Sequence, residues 1–191
     1  VIHRYDRRTL PVSRWRNGGG ETREIASFPA GKADFDWRIS IATIAADGAF
    51  STFPGIDRII TLLSGEVTLL QEGQRYQQLG LCQPFTFAGE EPICAQLSGK
   101  TSSDFNLMAR RGVYQPDAGV TCTRFSAAAA VAGVVYVIAG QWQHQDTLLS
   151  AGQGAWWQNN GGLFLPVTAD ARLLWGTFQP SCADDQGCPL K

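Results

Sequence analysis

The feature that most limits this chain is a period of two in its apolar residues. In "FDWRISIATI" (35–44), Trp37, Ile39 and Ile41 fall on one face, and Arg38, Ser40 and Ala42 on the other. Short runs of the same kind recur at "RIITLLSGEVTLL" (58–70), "QRYQQLGLCQPFTFAG" (74–89) and "EPICAQLSG" (91–99), each bounded by Gly, Pro, Asp or Asn. Such alternation suits half-buried β-strands and does not suit amphipathic helices. The stretch "SDFNLMARRG" (103–112) fits strand or helix. With no capping box before it and Gly112 closing it, it reads as a strand leaving the rim of a barrel. The break at Ser64–Gly65 reads as a hairpin turn. Helix signals reduce to a turn or two near the alanines of 126–132, so the fold class is all-β with very little helix.

The turn signals also repeat. "IITLLSGEVTLL" leads to "LGLCQPFTFAG", and "VVYVIAGQWQH" (134–144) leads to "LLSAGQGAWWQNNG" (148–161). Both read as apolar strand, Gly turn, polar strand, Gly turn, aromatic strand. The expectation is two β-barrels or jelly rolls packed together, divided at residues 1–115 and 116–191. A single β-sandwich is the alternative. Only Arg124, Arg172 and Lys191 of the 16 basic residues lie in the second half, so charge points to the first half as the site.

Composition narrows the partners. The net charge of −1 offers no global basic field for nucleic acid or an anionic membrane. No apolar run is long enough to span a bilayer as a helix, and the charged start "VIHRYDRRTLPVSRW" is no secretory signal. Five scattered cysteines without a C-x-x-C pair suggest reduced thiols in the cytoplasm, with a Cys182–Cys188 pair as the lesser alternative under oxidation.

Three segments carry more than a generic β pattern: "WRNGGGETREI" (15–25), "FDWRISIATIAADGAFSTFPGIDRIITLLSGE" (35–66) and "DFNLMARRG" (104–112). Together they resemble the HutD/Ves family, small bicupin proteins often associated with bacterial histidine utilisation. The resemblance implies a bicupin fold, a cytoplasmic setting and a role near histidine catabolism. Cupins usually hold a metal through two histidines and a glutamate on one hairpin, with a further histidine beyond. Matched on Gly65, the glutamate slot falls on Arg58 and the histidine slots near Ser51 or Thr52 and Phe53 or Pro54, while Pro92 takes the last. No ligating residue stands in any slot, and the chain's two histidines, His3 and His144, are far apart in sequence. The expectation is a barrel without metal or other cofactor.

In place of the metal stands Arg58, on a strand whose alternation turns Ile60 and Leu62 inward with it. A buried guanidinium is costly without an anion, and its planar fork matches a carboxylate. "NGGG" (17–20) reads either as a nest of backbone N–H groups or as a bare tight turn. The expected ligand-binding set is Arg58, Asn17, Arg16, Gly18, Gly19, Arg38 and Ser40. The expected ligand is a small carboxylate metabolite, and the resemblance makes N-formylglutamate or urocanate its class and a sensor or governor of histidine utilisation its role. Catalytic residues are not assigned: no G-x-S-x-G is present, and His3 and the tyrosines show no pairing. The alternative is a metal-independent hydrolase or isomerase with Asp57, Glu66 or Glu21 as base. The sequence leaves a homodimer open.

Overall fold

The computed structural model describes residues 1–127 and 131–182. The first half contains β1 (Ile2–Asp6), β2 (Val12–Arg14), β3 (Gly20–Phe28), β4 (Trp37–Ile44), β5 (Gly48–Ala49) and β6 (Ile56–Ser64). It continues with β7 (Val67–Gln71), β8 (Gln74–Gln78), β9 (Pro84–Ala88), β10 (Ile93–Leu97) and β11 (Ser102–Arg110). The second half contains β12 (Tyr114–Thr121), β13 (Phe125–Ser126), β14 (Ala132–Ala139), β15 (Gln141–His144) and β16 (Thr147–Ser150). It ends with β17 (Gln153–Gln158), β18 (Leu163–Pro166) and β19 (Arg172–Pro180). Among the described residues, helical structure is limited to a 3-10 turn at Arg7–Thr9, where Asp6 Oδ1 accepts from the Arg8 N–H. The alanine turn expected near 126–132 falls partly outside the described residues, and Ser126 and Ala132 are themselves in strands.

The strand order repeats. One large sheet runs β2-β3-β4-β11-β6-β9 and the other β1-β17-β14-β19-β12, so β9-β6-β11-β4 corresponds to β17-β14-β19-β12. The small sheets, β5-β10-β7-β8 and β13-β18-β15-β16, correspond strand for strand. Each half closes a large sheet over a small one, which makes the fold an all-β bicupin. The two large sheets then pack back to back. Trp37, Ile39, Ile41, Ile59, Phe105 and Leu107 meet Val134, Tyr136, Leu174 and Phe178 in one core. The face carrying Trp37, Ile39 and Ile41 is the one the alternation selected, and apolar area of this kind is the main source of stability.

Three local expectations are corrected. Ser64–Gly65 is not a hairpin turn, because β6 and β7 lie in different sheets. Gly65, at φ 83°, turns a corner between layers, so that Ile60 and Leu62 share a core with Val67 and Leu69. Alternation is identical for a hairpin and for such a corner; only the pairing partner differs. Second, β11 does not leave the rim. It is central, between β4 and β6, and buried from Ser102 through Ala109, because one face packs in the core between the large sheets and the other lies inside the first barrel. Third, the division at 1–115 places the opening residues with the first barrel, whereas the opening strand β1 crosses to the second half and pairs with β17, Ile2 opposite Trp157.

Candidate functional site

The first barrel is filled at one end by Ile44, Ile60, Leu62, Val67, Leu69, Phe87 and Ile93. Beyond them lies a cavity of about 480 Å³, reached by Arg38, Ser40 and Ala42 of β4, Arg58 of β6, and Asp104, Asn106 and Met108 of β11. Each set advances by two residues, as a strand must to keep its side chains on one face. Register places them side by side: Met108 lies opposite both Arg38 and Arg58, and Asn106 opposite both Ser40 and Ile60. The segment Ser13–Asn17 and the stretch Ala49–Phe53 supply the rim.

Arg58 is 7% exposed. The rings of Phe50, Phe53 and Phe87 stand 5.5, 5.3 and 4.8 Å from its guanidinium carbon, close enough for cation–π attraction. Its Nη1 donates to the Ser51 carbonyl at 3.2 Å, and its buried Nε has no partner. Burial pushes its pKa down to about 10; the field of Asp104 opposes that shift and Arg38 reinforces it. It therefore stays cationic at neutral pH. No ion pair among the described residues joins Arg58 to a carboxylate. Asp57, its neighbour in sequence, points the other way and is held by Arg111 at 2.8 Å.

Asp104 is the carboxylate that does line the cavity, and sequence reasoning missed it. It is 1% exposed; Oδ1 accepts from Asn106 Nδ2, while Oδ2 has no partner. Burial raises its pKa to about 7, against the hydrogen bond from Asn106 and the attraction of Arg58 and Arg7. The available signal was alternation itself: in a strand over 103–112, Asp104, Asn106 and Met108 fall on one face. The carboxylates suggested as bases lie elsewhere. Glu21 pairs with Arg23, Asp57 with Arg111, and Glu66 is exposed.

Of the expected set, Arg58, Arg38, Ser40, Arg16 and Asn17 line one cavity, and Gly18 and Gly19 do not. The glycine amides make no free nest. The Gly18 N–H donates to the Trp15 carbonyl at 3.0 Å and the Gly19 N–H to Asn17 Oδ1 at 2.8 Å, so both close the turn on itself. Gly20 serves close packing instead, since a Cβ there would lie 2.3 Å from the Thr43 carbonyl oxygen. Asn17, with Oδ1 engaged in that turn, still lines the rim. Arg38 Nε lies 2.9 Å from Glu24 Oε1, an ion pair by distance whose N–H is not aligned on that oxygen. Arg110 and Arg111 are tied to Asp34, Asp36, Asp57 and Glu90 outside the cavity.

The donor set does not fit a cupin metal. Of the residues matched to the slots, Ser51, Phe53 and Arg58 line the cavity, and none is an imidazole, thiolate or carboxylate. Among the described residues no three His, Cys, Asp or Glu side chains converge. The four described cysteines, at 82, 94, 122 and 182, are free, and Cys188 lies outside the described residues.

Comparison with known proteins agrees with this architecture. The HutD family model matches residues 7–175. Protein Ves of Cronobacter sakazakii is 46% identical over 173 residues, covering 90% of this chain and 95% of its own. HutD from Pseudomonas fluorescens SBW25, in a formate condition, superposes with a TM-score of 0.81 at 28% identity, covering 94% of this chain and 99% of its own. A cupin 2 conserved barrel domain protein from Leptotrichia buccalis, 9% identical, covers 93% of this chain and 96% of its own at a TM-score of 0.58, a likeness of fold alone.

Proposed function

The chain belongs to the HutD family, and from that membership and the buried guanidinium of Arg58 we propose that its first barrel binds a small carboxylate metabolite without a metal ion. The observation that carries this reading is a cation 7% exposed, at a cavity wall, with no ion-paired carboxylate among the described residues. Desolvating a guanidinium costs several kcal/mol unless an anion accompanies it. With Nη1 on the Ser51 carbonyl, the Nε and Nη2 edge remains for a carboxylate to accept two parallel hydrogen bonds. Arg38, Arg16, Asn17 and Ser40 complete a polar wall around a ligand the size of N-formylglutamate or urocanate. The family's name connects it to histidine utilisation, and a binding barrel without evident nucleophile or metal would serve there as a sensor or governor. The proposed setting is cytoplasmic; no helix of the described residues is long and apolar enough to cross a membrane.

Calorimetric titration with N-formylglutamate, glutamate, urocanate and formate tests this, on native protein and on Arg58→Ala, with the ligand recovered and weighed by mass spectrometry. Binding that disappears in Arg58→Ala, with the ligand intact, supports the reading. Absence of binding, or equal binding by Arg58→Ala, overturns it. A second reading rests on Asp104: a carboxyl with its pKa near 7 is poised as a general base, so converted ligand in the same experiment would make the barrel a hydrolase or isomerase.

A further inference from the structure

We propose that Asp104 makes the first barrel select carboxylates that also carry an N–H donor, amide-bearing anions above all, over carboxylates of the same shape without one. This rests on the carboxylate-binding reading and adds a requirement to it.

Three buried polar atoms of the described residues that line the cavity lack a hydrogen-bond partner; Arg38 Nε lies beside Glu24, and the needs of the other two are opposite. Arg58 Nε–H is a donor without an acceptor, and Asp104 Oδ2 is an acceptor without a donor. They do not satisfy each other. Arg58 stands across from Met108 and Asp104 across from Leu62, so four residues of β11 separate the two positions. That is about 13 Å of strand at roughly 3.3 Å per residue. The arginine reaches far enough for its charge to be felt at Asp104, yet no ion pair forms. A ligand group that accepts at one end and donates at the other fills the gap, and an amide-bearing carboxylate has that form. The rest of the wall is rich in donors: among the described residues, four arginines (14, 16, 38 and 58) line it with a single carboxylate, Asp104. The ligand this wall describes is an anion of several acceptors with one donor, placed toward β11. A carboxylate without the donor leaves Oδ2 buried and unpaired, and it brings its own oxygen lone pairs toward that anion. An acceptor of this kind, left empty, is the strong form of discrimination available to a binding site.

The test compares N-acetylglutamate with 2-acetoxyglutarate, in which an ester oxygen replaces the N–H, by calorimetry at pH 8 on native protein, Asp104→Leu and Arg58→Ala. The expected result is an amide at least about 10-fold tighter than the ester on native protein, the range of one hydrogen bond to a charged group. The ratio falls to about one in Asp104→Leu. Equal binding of amide and ester by native protein overturns the proposal, and this arm needs no variant to fold. A ratio that persists in Asp104→Leu also overturns it, because the selection then lies elsewhere. If both ligands bind with Arg58 dependence but without preference, only the role of Asp104 falls. If neither binds, or Arg58→Ala binds both as well as native protein, the carboxylate reading falls with it.

Discussion

The two barrels share one topology and use their interiors in opposite ways. Arg58 precedes the turn glycine Gly65 by the same interval as Gly133 precedes Gly140. Across the ladder Arg58 meets Phe87, and Gly133 meets Trp157. Asn106 stands between Ser40 and Ile60, and its counterpart Trp175 stands between Gly119 and Val135. A Cβ on Gly133 would come within 2.4 Å of the Trp157 ring, and one on Gly119 within 2.6 Å of the Trp175 ring. The second barrel has given up side chains at two positions so that two indoles can lie there, and Leu173 takes the place of Asp104. The first barrel keeps arginine, serine, asparagine and aspartate at these positions, and a cavity remains. A barrel of this kind is an interior that is either packed or furnished with polar groups, and here one chain does each once.

The largest effect expected from breaking that contrast is in the packed barrel. Trp157 is fully buried and meets Phe164 at 5.9 Å between ring centroids. Trp157→Ala should cost about 3–5 kcal/mol, read from urea unfolding, because a wall of close-packed neighbours cannot collapse into the space. Carboxylate binding in the other barrel should be unchanged where the variant is folded.

Asp104 gives the next largest effect, through pH. Unfolded, its carboxyl titrates near the ordinary value of 3.8; folded, near 7. Between those values the native state holds a proton that the unfolded state has released. Its contribution to stability therefore falls as pH rises from about 4 to about 7, and is flat above. The full span is about 4 kcal/mol at most, from about 1.4 kcal/mol per pH unit. Asp104→Asn, which still accepts from Asn106, should remove that decline and be more stable than native protein at pH 8. A melting-temperature series across pH 4–8 decides; parallel curves for the two proteins would place Asp104 in contact with water.

Arg58→Met sharpens the comparison by making the first barrel resemble the second. Carboxylate affinity should drop about 100-fold, near 2.7 kcal/mol, as a charged hydrogen bond and its field are lost. Stability should hold or rise, since a desolvated cation is exchanged for an apolar side chain among three phenyl rings. A destabilised Arg58→Met would show that the rings and the Ser51 carbonyl already compensate the charge.

What could be read from sequence follows from which contacts are local. The face of β4 with Arg38, Ser40 and Ala42, and the inward set Arg58, Ile60 and Leu62, follow from alternation within one strand, and both stand as read. What failed depends on partners distant in sequence. The corner at Gly65 and the pairing of β1 with β17 are choices of sheet, to which a period of two is blind. Asp104 was hidden because β11 is covered on both faces. Its polar residues at 102, 103, 104 and 106 break the expected pattern of polar side chains facing water. The glycine segment stayed open between a nest and a tight turn for a different reason: whether an amide is free depends on whether Trp15 and Asn17 fold back onto it, and here both do.

The smallest effect separates the barrels by sign. His144 is fully buried in the second barrel, stacked on Phe164 at 4.2 Å, with Nε2 2.9 Å from the Gly161 carbonyl oxygen. Hydrogen bonding to a carbonyl puts the proton on Nε2 and leaves Nδ1 bare and unpartnered. Burial lowers its pKa, with Arg4 adding to the shift and the Gly161 contact opposing it. The unfolded chain binds a proton near pH 6.5 that the native imidazole resists. Its contribution to stability is therefore present above that pH and lost as pH falls below it, the reverse of the Asp104 slope. In native protein the two slopes oppose each other across the same range. Comparing Asp104→Asn with Asp104→Asn/His144→Gln removes the first and isolates the second, because glutamine can still donate to Gly161 and cannot titrate. The difference in melting temperature should grow in favour of the double variant as pH drops from 6.5 toward 5. A difference that stays level would mean that His144 accepts its second proton inside the core, and that the packed barrel has room for water at Nδ1.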